Sequence, residues 1–185
     1  MIDPHNITNY NQSQSELEEV LLFWICAAGK TAVTMSRSLD AMLSTLQGNT
    51  PFDKIKKVGE DKLPQTLKSF GIGCYNNKAK SMWGLSNKGL DLSSCSVEDL
   101  EGVHGIGPKT ARCFIIHSRR NARHAGLDTH ILKFLRSKGH DVPKSTPTKK
   151  KYKELEAVFL DYVDASGKSV AEFDLDIWRS YAGIK

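Results

Sequence analysis

A lysine and an aspartate, each beside a glycine-containing turn, are the residues of this chain best suited to act together in chemistry. Lys109 ends the run Gly105-Ile106-Gly107-Pro108-Lys109, and Asp128 follows in the segment GLDTH. A lysine amine that has lost its proton can attack a sugar carbon and form a Schiff base. A carboxylate can stabilise an electron-deficient sugar or take protons from the attacking amine. The pair therefore predicts covalent chemistry on a sugar.

The residues before Lys109 predict two helices joined by a tight turn, a helix-hairpin-helix at residues 96–118. Gly105 and Gly107 allow the chain to reverse with positive φ and allow a partner's backbone to approach closely. Pro108 suits the first turn of the second helix, where its missing amide is not needed. Free amides and the positive end of the helix dipole attract a phosphate at this point. The motif predicts that DNA is held by its backbone, independently of base sequence.

The helix dipole and burial in a cleft both disfavour a cation at Lys109. Each effect favours the neutral amine, the form that a nucleophile needs. The sequence therefore predicts a lowered pKa for Lys109.

The order of HGIGPKTA, an apolar helix, a basic loop and GLDTHILKFL resembles the endonuclease III-type superfamily of DNA glycosylases. Upstream, GIGCYNNKAKSM at residues 71–82 is similar to the segment that precedes the hairpin in this superfamily, and ELEEVLLFWICAAGKTAV is similar to its first core helix. The resemblance covers residues 16–138. It implies that Lys109 and Asp128 occupy the catalytic positions of the bifunctional members, which remove a base and then cleave the strand at the abasic site.

Two features depart from endonuclease III itself. That enzyme carries a four-cysteine iron-sulfur loop near its C-terminus, whereas the last cysteine here is Cys113, so we expect no iron-sulfur cluster and no required cofactor. Its first core helix ends in a glutamine-containing segment that helps to fill the gap left by a flipped base, whereas this chain has Cys26-Ala27-Ala28-Gly29-Lys30. The cluster-free 8-oxoguanine glycosylases of the superfamily are comparable candidates, and the sequence leaves the excised base open.

The resemblance also implies DNA contacts and a lesion pocket. The expected DNA-binding residues are His104, Gly105, Gly107, Lys109, Thr110, Arg112, Tyr75, Asn77 and Lys78. Candidates for the wedge that enters the base stack, or for the pocket of the extruded base, are Ile72, Tyr75, Ala28, Asp174 and Trp178. As in other members, backbone carbonyls of Glu101, Val103 and Ile106 are expected to hold K⁺ or Na⁺ in the hairpin.

Each functional assignment has an alternative. Asp128 could be only the N-cap of the helix that follows, and Lys109 only a phosphate contact in a non-enzymatic DNA-binding hairpin. A monofunctional glycosylase would use Asp128 to activate water and would leave the strand intact. A metal-dependent nuclease could use Asp174 and Asp176, and EDTA would then abolish its cutting. Further basic residues could grip phosphates, although such runs usually form solvated faces: Arg119, Arg120, Arg123, Lys149, Lys150 and Lys151.

Composition agrees with a protein that binds a polyanion, and the resemblance implies that this partner is double-stranded DNA with a damaged base. The 185 residues have a net charge of +5 and a pI of about 9.0. The four cysteines show no metal-type spacing, which favours buried reduced thiols. No apolar run approaches about 18 residues, and the N-terminus lacks a secretory pattern. We expect an intracellular monomer, in cytoplasm or nucleoid or in a nucleus, without membrane association.

Helical periodicity runs through nearly the whole chain, and no segment alternates convincingly as a strand. A capping box at Ser13-x-x-Glu16 predicts the start of the first long helix, and the second runs from Gly29 to QGNTP. Shorter helices are predicted in PFDKIKKV, EDKLPQTLKSF and NNKAKSMWGLSNK. Past Asp128 come a further helix, the break HDVPKSTPT, and two helices around Tyr152 to Val163 and Val170 to Tyr181.

The resulting prediction is an all-α fold with two helical lobes flanking a DNA-binding cleft. Residues 1–15 are expected to be a flexible N-terminal segment. Residues 16–127 would form a helical barrel lobe that contains the helix-hairpin-helix. Residues 128–185 would form the second lobe, completed by the N-terminal segment. Large aromatic side chains are assigned to the core rather than to base stacking: Phe23, Trp24, Trp83 and Phe114.

Overall fold

Helices account for all the regular structure in the computed structural model, which describes residues 1–144 and 147–181. The described residues contain ten α-helices, one short 3-10 helix (Pro4–Asn6) and no β-strand, which confirms the predicted all-α class. The helices are α1 (Gln14–Ala27), α2 (Ala32–Thr45), α3 (Pro51–Val58), α4 (Leu63–Ser69), α5 (Tyr75–Asn87), α6 (Val97–Glu101), α7 (Pro108–Ser118), α8 (Thr129–Ser137), α9 (Lys149–Ser166) and α10 (Val170–Tyr181).

Side-chain caps explain where several helices begin. Ser13 and Glu16 form the predicted capping box before α1, and Ser96 and Asp99 form another before α6. The Thr148 hydroxyl accepts the amide of Lys151, so α9 begins earlier than the predicted Tyr152. Ser145 and Thr146, within the predicted break, lie outside the described residues, as do residues 182–185 of the second predicted lobe.

Buried apolar side chains form two clusters. The larger one gathers residues of α1 to α7, with Leu21 and Leu22 of α1 fully buried at its centre. The second joins the end of α7 to α8, α9 and α10, with Phe159 fully buried. Phe23 and Phe114 are core residues as predicted, whereas Trp24 and Trp83 are only half-buried against the larger cluster. No described helix combines the length and apolar character needed to cross a bilayer.

The N-terminal segment, which was expected to be flexible, packs against the helices. Ile7 is buried in the larger cluster, and the Asn9 amide donates to the carbonyl of His117 at 3.0 Å. The Arg179 guanidinium of α10 donates to the carbonyl of His5 at 2.5 Å. The buried Ile7 and these long-range hydrogen bonds attach the N-terminal segment to the helices, although its sequence is otherwise polar. The division of the chain into two lobes stays a prediction.

Candidate active site

The predicted helix-hairpin-helix is formed by α6, the turn 102–107 and α7. Gly105 has φ of +77°, a conformation that side chains other than glycine rarely adopt. The Ile106 amide donates to the Val103 carbonyl at 3.1 Å and closes the turn. Gly107 is the N-cap of α7, and Pro108 follows in its first turn. The amino end of α7 therefore begins directly at the turn, as an anion-binding hairpin requires.

Lys109 lies in the first turn of α7, and its side chain is half-buried against α1. The ammonium nitrogen Nζ is 4.6 Å from the ring centre of Trp24, within the range of a cation–π interaction. Because α1 and α7 pack together, the indole lies beside the amine. The thiol of Cys113 comes one helical turn after Lys109 on the same helix.

The pKa of Lys109 corrects the sequence-based prediction of a neutral amine. Burial lowers this pKa, but the contact with the Cys113 sulfur and the negative charges of Asp128 and Asp174 raise it more, so it lies above its ordinary value. Burial raises the pKa of Cys113 to about 12, which makes this group a neutral thiol near pH 7. The charge that acts on Lys109 near neutrality therefore comes from the two carboxylates. Lys109 rests as an ammonium ion in the protein without DNA.

Asp128 is the N-cap of α8, as its alternative assignment predicted. Its Oδ1 accepts the amides of His130 at 2.8 Å and Ile131 at 2.9 Å. Burial and the charge of Asp174 raise the pKa of the Asp128 carboxyl, while Lys109 and the Ile131 amide lower it less. Its pKa is thus above the ordinary value, which suits a group that accepts a proton. Capping occupies Oδ1, so one residue can serve both as cap and as acid–base group.

Helix α9 holds the loop that leads to Asp128. Glu156 accepts the Ala125 amide at 2.8 Å. The Tyr152 hydroxyl accepts the Leu127 amide at 3.0 Å and donates to the Ala125 carbonyl at 2.7 Å. A Cβ at Gly126 would overlap the sulfur of Cys113, so only glycine lets the loop approach α7 this closely. These contacts bring Asp128 to the face of α7 that carries Lys109.

Four predicted DNA or lesion contacts have buried side chains in the protein without DNA, and their roles stay predictions. The Arg112 guanidinium bonds to Glu101 at 2.6 Å and to Glu156 at 2.8 Å, so its charge is already neutralised. The Lys78 ammonium donates to the Cys26 carbonyl at 2.5 Å, at the C-terminal end of α1. The side chains of Thr110 and Ile72 are also buried. These side chains pack between helices, and the sequence motif alone does not show that they are buried.

Other predicted contacts lie at or near the surface. His104, Gly105 and Asn77 are exposed at the hairpin and at the start of α5, and Ala28 is exposed at the end of α1. Tyr75 is half-buried, with the Lys68 ammonium 5.6 Å from its ring centre. These positions are compatible with contact to DNA, and their roles stay predictions.

The pocket candidates on α10 divide by burial. Asp174 is buried, and its charge acts on both Lys109 and Asp128. Trp178 is half-buried, with its ring edge-on to His5 at 5.2 Å between centroids. Asp176 instead pairs with Lys168 at 2.6 Å, which does not favour the paired Asp174 and Asp176 site of a metal nuclease.

Sequence reasoning missed two side chains at the site, Trp24 and Cys113. Trp24 had been assigned to the core, because its apolar spacing on α1 gave no sign that its ring meets an amine. Cys113 had a visible signal, since a residue four positions after Lys109 lies on the same face of a helix. Two buried nitrogens near the site, Trp24 Nε1 and His130 Nδ1, have no hydrogen-bond partner among the described residues. Such atoms are available to a ligand or to water.

A cavity of about 580 Å³ lies between the N-terminal segment and α10, lined in part by Thr8, Arg120 and Leu175. Its lining includes neither Lys109 nor Asp128, so this cavity is not the candidate active site. Within residues 1–144 and 147–181, no group of three or more His, Cys, Asp or Glu side chains could hold a metal ion. All four cysteines are free thiols, and only Cys74 is exposed.

Replacing each of the two hairpin glycines by alanine should affect stability differently. Gly105→Ala would combine a positive φ with overlap of the new Cβ and the Ser81 hydroxyl, so we expect a loss of about 1–3 kcal/mol in the free energy of unfolding. Gly107→Ala is the matched control, because its φ is −92° and its Cβ would meet no described atom within 4 Å. We expect it to change stability by less than about 0.5 kcal/mol while weakening DNA binding. Urea unfolding and DNA titration measure the two effects, and equal stability losses would contradict this account.

Comparison with solved structures identifies the fold. No model of a known protein family matches the sequence. The 8-oxoguanine DNA glycosylase of Methanocaldococcus jannaschii is 24% identical with a TM-score of 0.76, over 96% of this chain and 84% of that chain. A complex of the M. jannaschii 8-oxoguanine glycosylase/lyase with 15mer DNA containing 8-oxoguanine is 24% identical with a TM-score of 0.73, over 94% and 84%. The 8-oxoguanine DNA glycosylase of Thermotoga maritima is 20% identical with a TM-score of 0.73, over 91% and 81%. The chain therefore has the fold of these glycosylases, as the sequence resemblance implied.

Proposed function

We propose, proceeding from this shared fold, that the protein is a base excision repair DNA glycosylase with abasic-site lyase activity. The observation that carries the proposal is the convergence of Lys109 and Asp128 beside the hairpin, where the charge of each shifts the pKa of the other. The excised base would be an oxidised one, and 8-oxoguanine is the first candidate because the similar structures belong to 8-oxoguanine glycosylases. A soluble intracellular monomer acting on damaged duplex DNA fits this role.

The reaction begins with the hairpin holding the DNA backbone while the damaged nucleotide leaves the stack. The Lys109 ammonium transfers a proton to the Asp128 carboxylate, whose raised pKa favours acceptance. The freed amine then forms a bond to C1′ of the sugar as the bond between C1′ and the base breaks. The electron pair of the broken bond leaves with the base, which takes up a proton. No metal is needed for this step.

Strand cleavage follows from the same covalent link. Opening of the sugar ring converts the Lys109 adduct into a protonated Schiff base. Loss of a proton from C2′ then expels the 3′ phosphate by β-elimination, because the iminium nitrogen accepts the electron pair. Hydrolysis of the Schiff base frees Lys109. Borohydride reduces this intermediate to a stable amine, which makes it observable.

A lesion panel treated with borohydride tests the proposal. Duplexes with 8-oxoguanine, an oxidised pyrimidine or a mismatched base are incubated with the protein, with and without EDTA. We expect a covalent protein–DNA complex and a cut strand with at least one lesion, both insensitive to EDTA. If no duplex in a broad panel is trapped or processed, the proposal is wrong.

The same panel separates the rival functions. A monofunctional glycosylase of this fold, with Asp128 activating water, would release base without a trapped complex. A non-enzymatic hairpin protein would bind every duplex with steep salt dependence and process none. A metal-dependent nuclease would lose its cutting activity in EDTA.

A monovalent cation in the hairpin remains part of the proposal. Carbonyls of Glu101, Val103 and Ile106 are the candidate ligands, and K⁺ or Na⁺ there would bridge to a phosphate oxygen. The Val103 carbonyl already accepts the Ile106 amide, so a cation would use its second lone pair. We expect tighter DNA binding in K⁺ or Na⁺ than in a bulky organic cation at equal ionic strength. A binding isotherm indifferent to the cation would contradict this role.

A further inference from the structure

His117, in the last turn of α7, is fixed by bonds at both ring nitrogens, and none of its side chain is exposed. Its Nδ1 lies 2.8 Å from the Thr8 hydroxyl, and its Nε2 lies 3.3 Å from Oδ2 of Asp174. An ionised carboxylate can only accept, so Nε2 carries a proton and donates to Asp174, while Nδ1 shares a hydrogen bond with the Thr8 hydroxyl. The ring therefore ties the N-terminal segment to α7 and α10.

The same ring is connected to Lys109 through Trp24. His117 stacks on the indole, with centroids 5.6 Å apart and planes inclined by 14°. The Lys109 Nζ lies 4.6 Å from the centre of that indole. Lys109, Cys113 and His117 recur at a four-residue spacing and so share one face of α7. The amine of Lys109 and the imidazole that bonds to Asp174 therefore lie on the same face of α7.

Asp174 is a buried carboxylate whose side chain is 12% exposed. A buried carboxylate is unstable without a hydrogen-bond donor, and His117 Nε2 is the donor that it has among the described residues. Its negative charge acts on both Lys109 and Asp128. The orientation of Asp174 therefore depends on a residue outside the predicted motif.

We infer that His117 is a positioning residue which, held by Thr8, fixes the Asp174 carboxylate beside Lys109 and Asp128. The inference rests on the proposed function, since it assigns His117 and Asp174 to the same reaction. The nitrogen of Lys109 is positive as the resting ammonium and positive again in the protonated Schiff base. This second charge develops as the neutral amine bonds to C1′, and a fixed carboxylate stabilises it without reorganisation. His117 acts through Asp174 and need not touch the nucleotide.

Two substitutions of His117 separate its two bonds. In His117→Gln the amide nitrogen can take the place of Nε2 and still donate to Asp174. In His117→Asn the shorter side chain can reach only towards Thr8, so the bond to Asp174 is lost. Both remove the imidazole and its stacking on Trp24, so they control for each other. Ser86→Ala serves as a further control, because Ser86 is buried and donates only within its own helix, to Met82 at 2.7 Å.

The rate of base release is measured on an 8-oxoguanine duplex with the protein in excess, so that one turnover is followed. We expect His117→Asn to slow it by about 10 to 100-fold, as a displaced charged group does, and His117→Gln to stay within about threefold of the unmodified protein. Affinity for an undamaged duplex should be unchanged in both. In an Asp174→Asn background the two His117 variants should be equal. The inference is overturned if the two His117 variants slow base release equally when Asp174 is intact. It is also overturned if their rates still differ in the Asp174→Asn background, or if affinity for DNA falls together with the rate.

A stability measurement keeps this test independent of the proposed function. If the unmodified protein releases no base, the proposed function fails, and the urea midpoints of His117→Asn, Asp174→Asn and the double variant then decide the inference. A direct bond predicts that the double variant shifts the midpoint by less than the sum of the single shifts. Additive shifts would overturn the inference.

Discussion

Lys109→Gln is expected to abolish the borohydride-trapped complex and to reduce strand cleavage by more than about 10³-fold, because an amide has no nucleophilic lone pair for C1′. Glutamine keeps much of the aliphatic stem against α1, but the cation–π contact with Trp24 and the attraction to Asp128 and Asp174 are lost. We therefore expect a loss of about 1–3 kcal/mol in the free energy of unfolding. Gel analysis of trapped DNA and urea unfolding measure the two quantities.

Lys56→Gln is the matched control for this substitution. Lys56 is an exposed lysine of α3, so the change of charge is the same but no site contact is altered. We expect trapping by Lys56→Gln to equal that of the unmodified protein. Retention of the covalent complex by Lys109→Gln would mean that another amine forms the Schiff base, and the assignment of α7 as the catalytic helix would fail.

Asp128→Asn is expected to slow base release by about 10² to 10⁴-fold while leaving stability nearly intact. The asparagine oxygen can still accept the amides of His130 and Ile131, so the cap of α8 survives while the proton acceptor is lost. Asp128→Ala removes both functions, and we expect it to cost a further 1 kcal/mol or so in unfolding free energy. Single-turnover rates and urea unfolding of the two variants separate capping from catalysis.

A second readout distinguishes the two stages of the reaction. Asp128 raises the pKa of Lys109, so its replacement by asparagine should leave more of the neutral amine. Trapping on a duplex with a preformed abasic site, where no base has to leave, should therefore fall less than base release. If Asp128→Asn retains full base release and only Asp128→Ala is slow, Asp128 acts as a helix cap alone.

The helical framework was predictable because its signals are local. The capping boxes at Ser13 and Ser96 set helix starts within a few residues, and the two hairpin glycines marked a turn that the backbone requires. Lys109 and Asp128 could be proposed as site residues for the same reason, since a short motif and a loop carry both. The local sequence was enough to predict the structure wherever the contacts that determine it lie within one or two helical turns.

The surroundings of Lys109 were not predictable, because they come from distant parts of the chain. Thr8, Trp24, His117 and Asp174 meet only after α1, α7 and α10 pack together. The charge of Asp174 helps to reverse the predicted direction of the Lys109 pKa. The ion pair of Arg112 was missed for the same reason, because its partner Glu156 lies on α9. Burial and pairing of charged side chains depend on this packing and leave little trace in a single sequence.

The ammonium of Lys109 resting on the Trp24 ring has a consequence for protection against chemical damage. Aldehydes and reducing sugars condense with neutral amines and not with protonated ones. A lysine whose pKa is raised by two neighbouring carboxylates therefore reacts less readily with dissolved carbonyl compounds than an ordinary lysine does. In the proposed reaction the neutral amine forms only once an extruded nucleotide is in place, which confines adduct formation to the intended sugar.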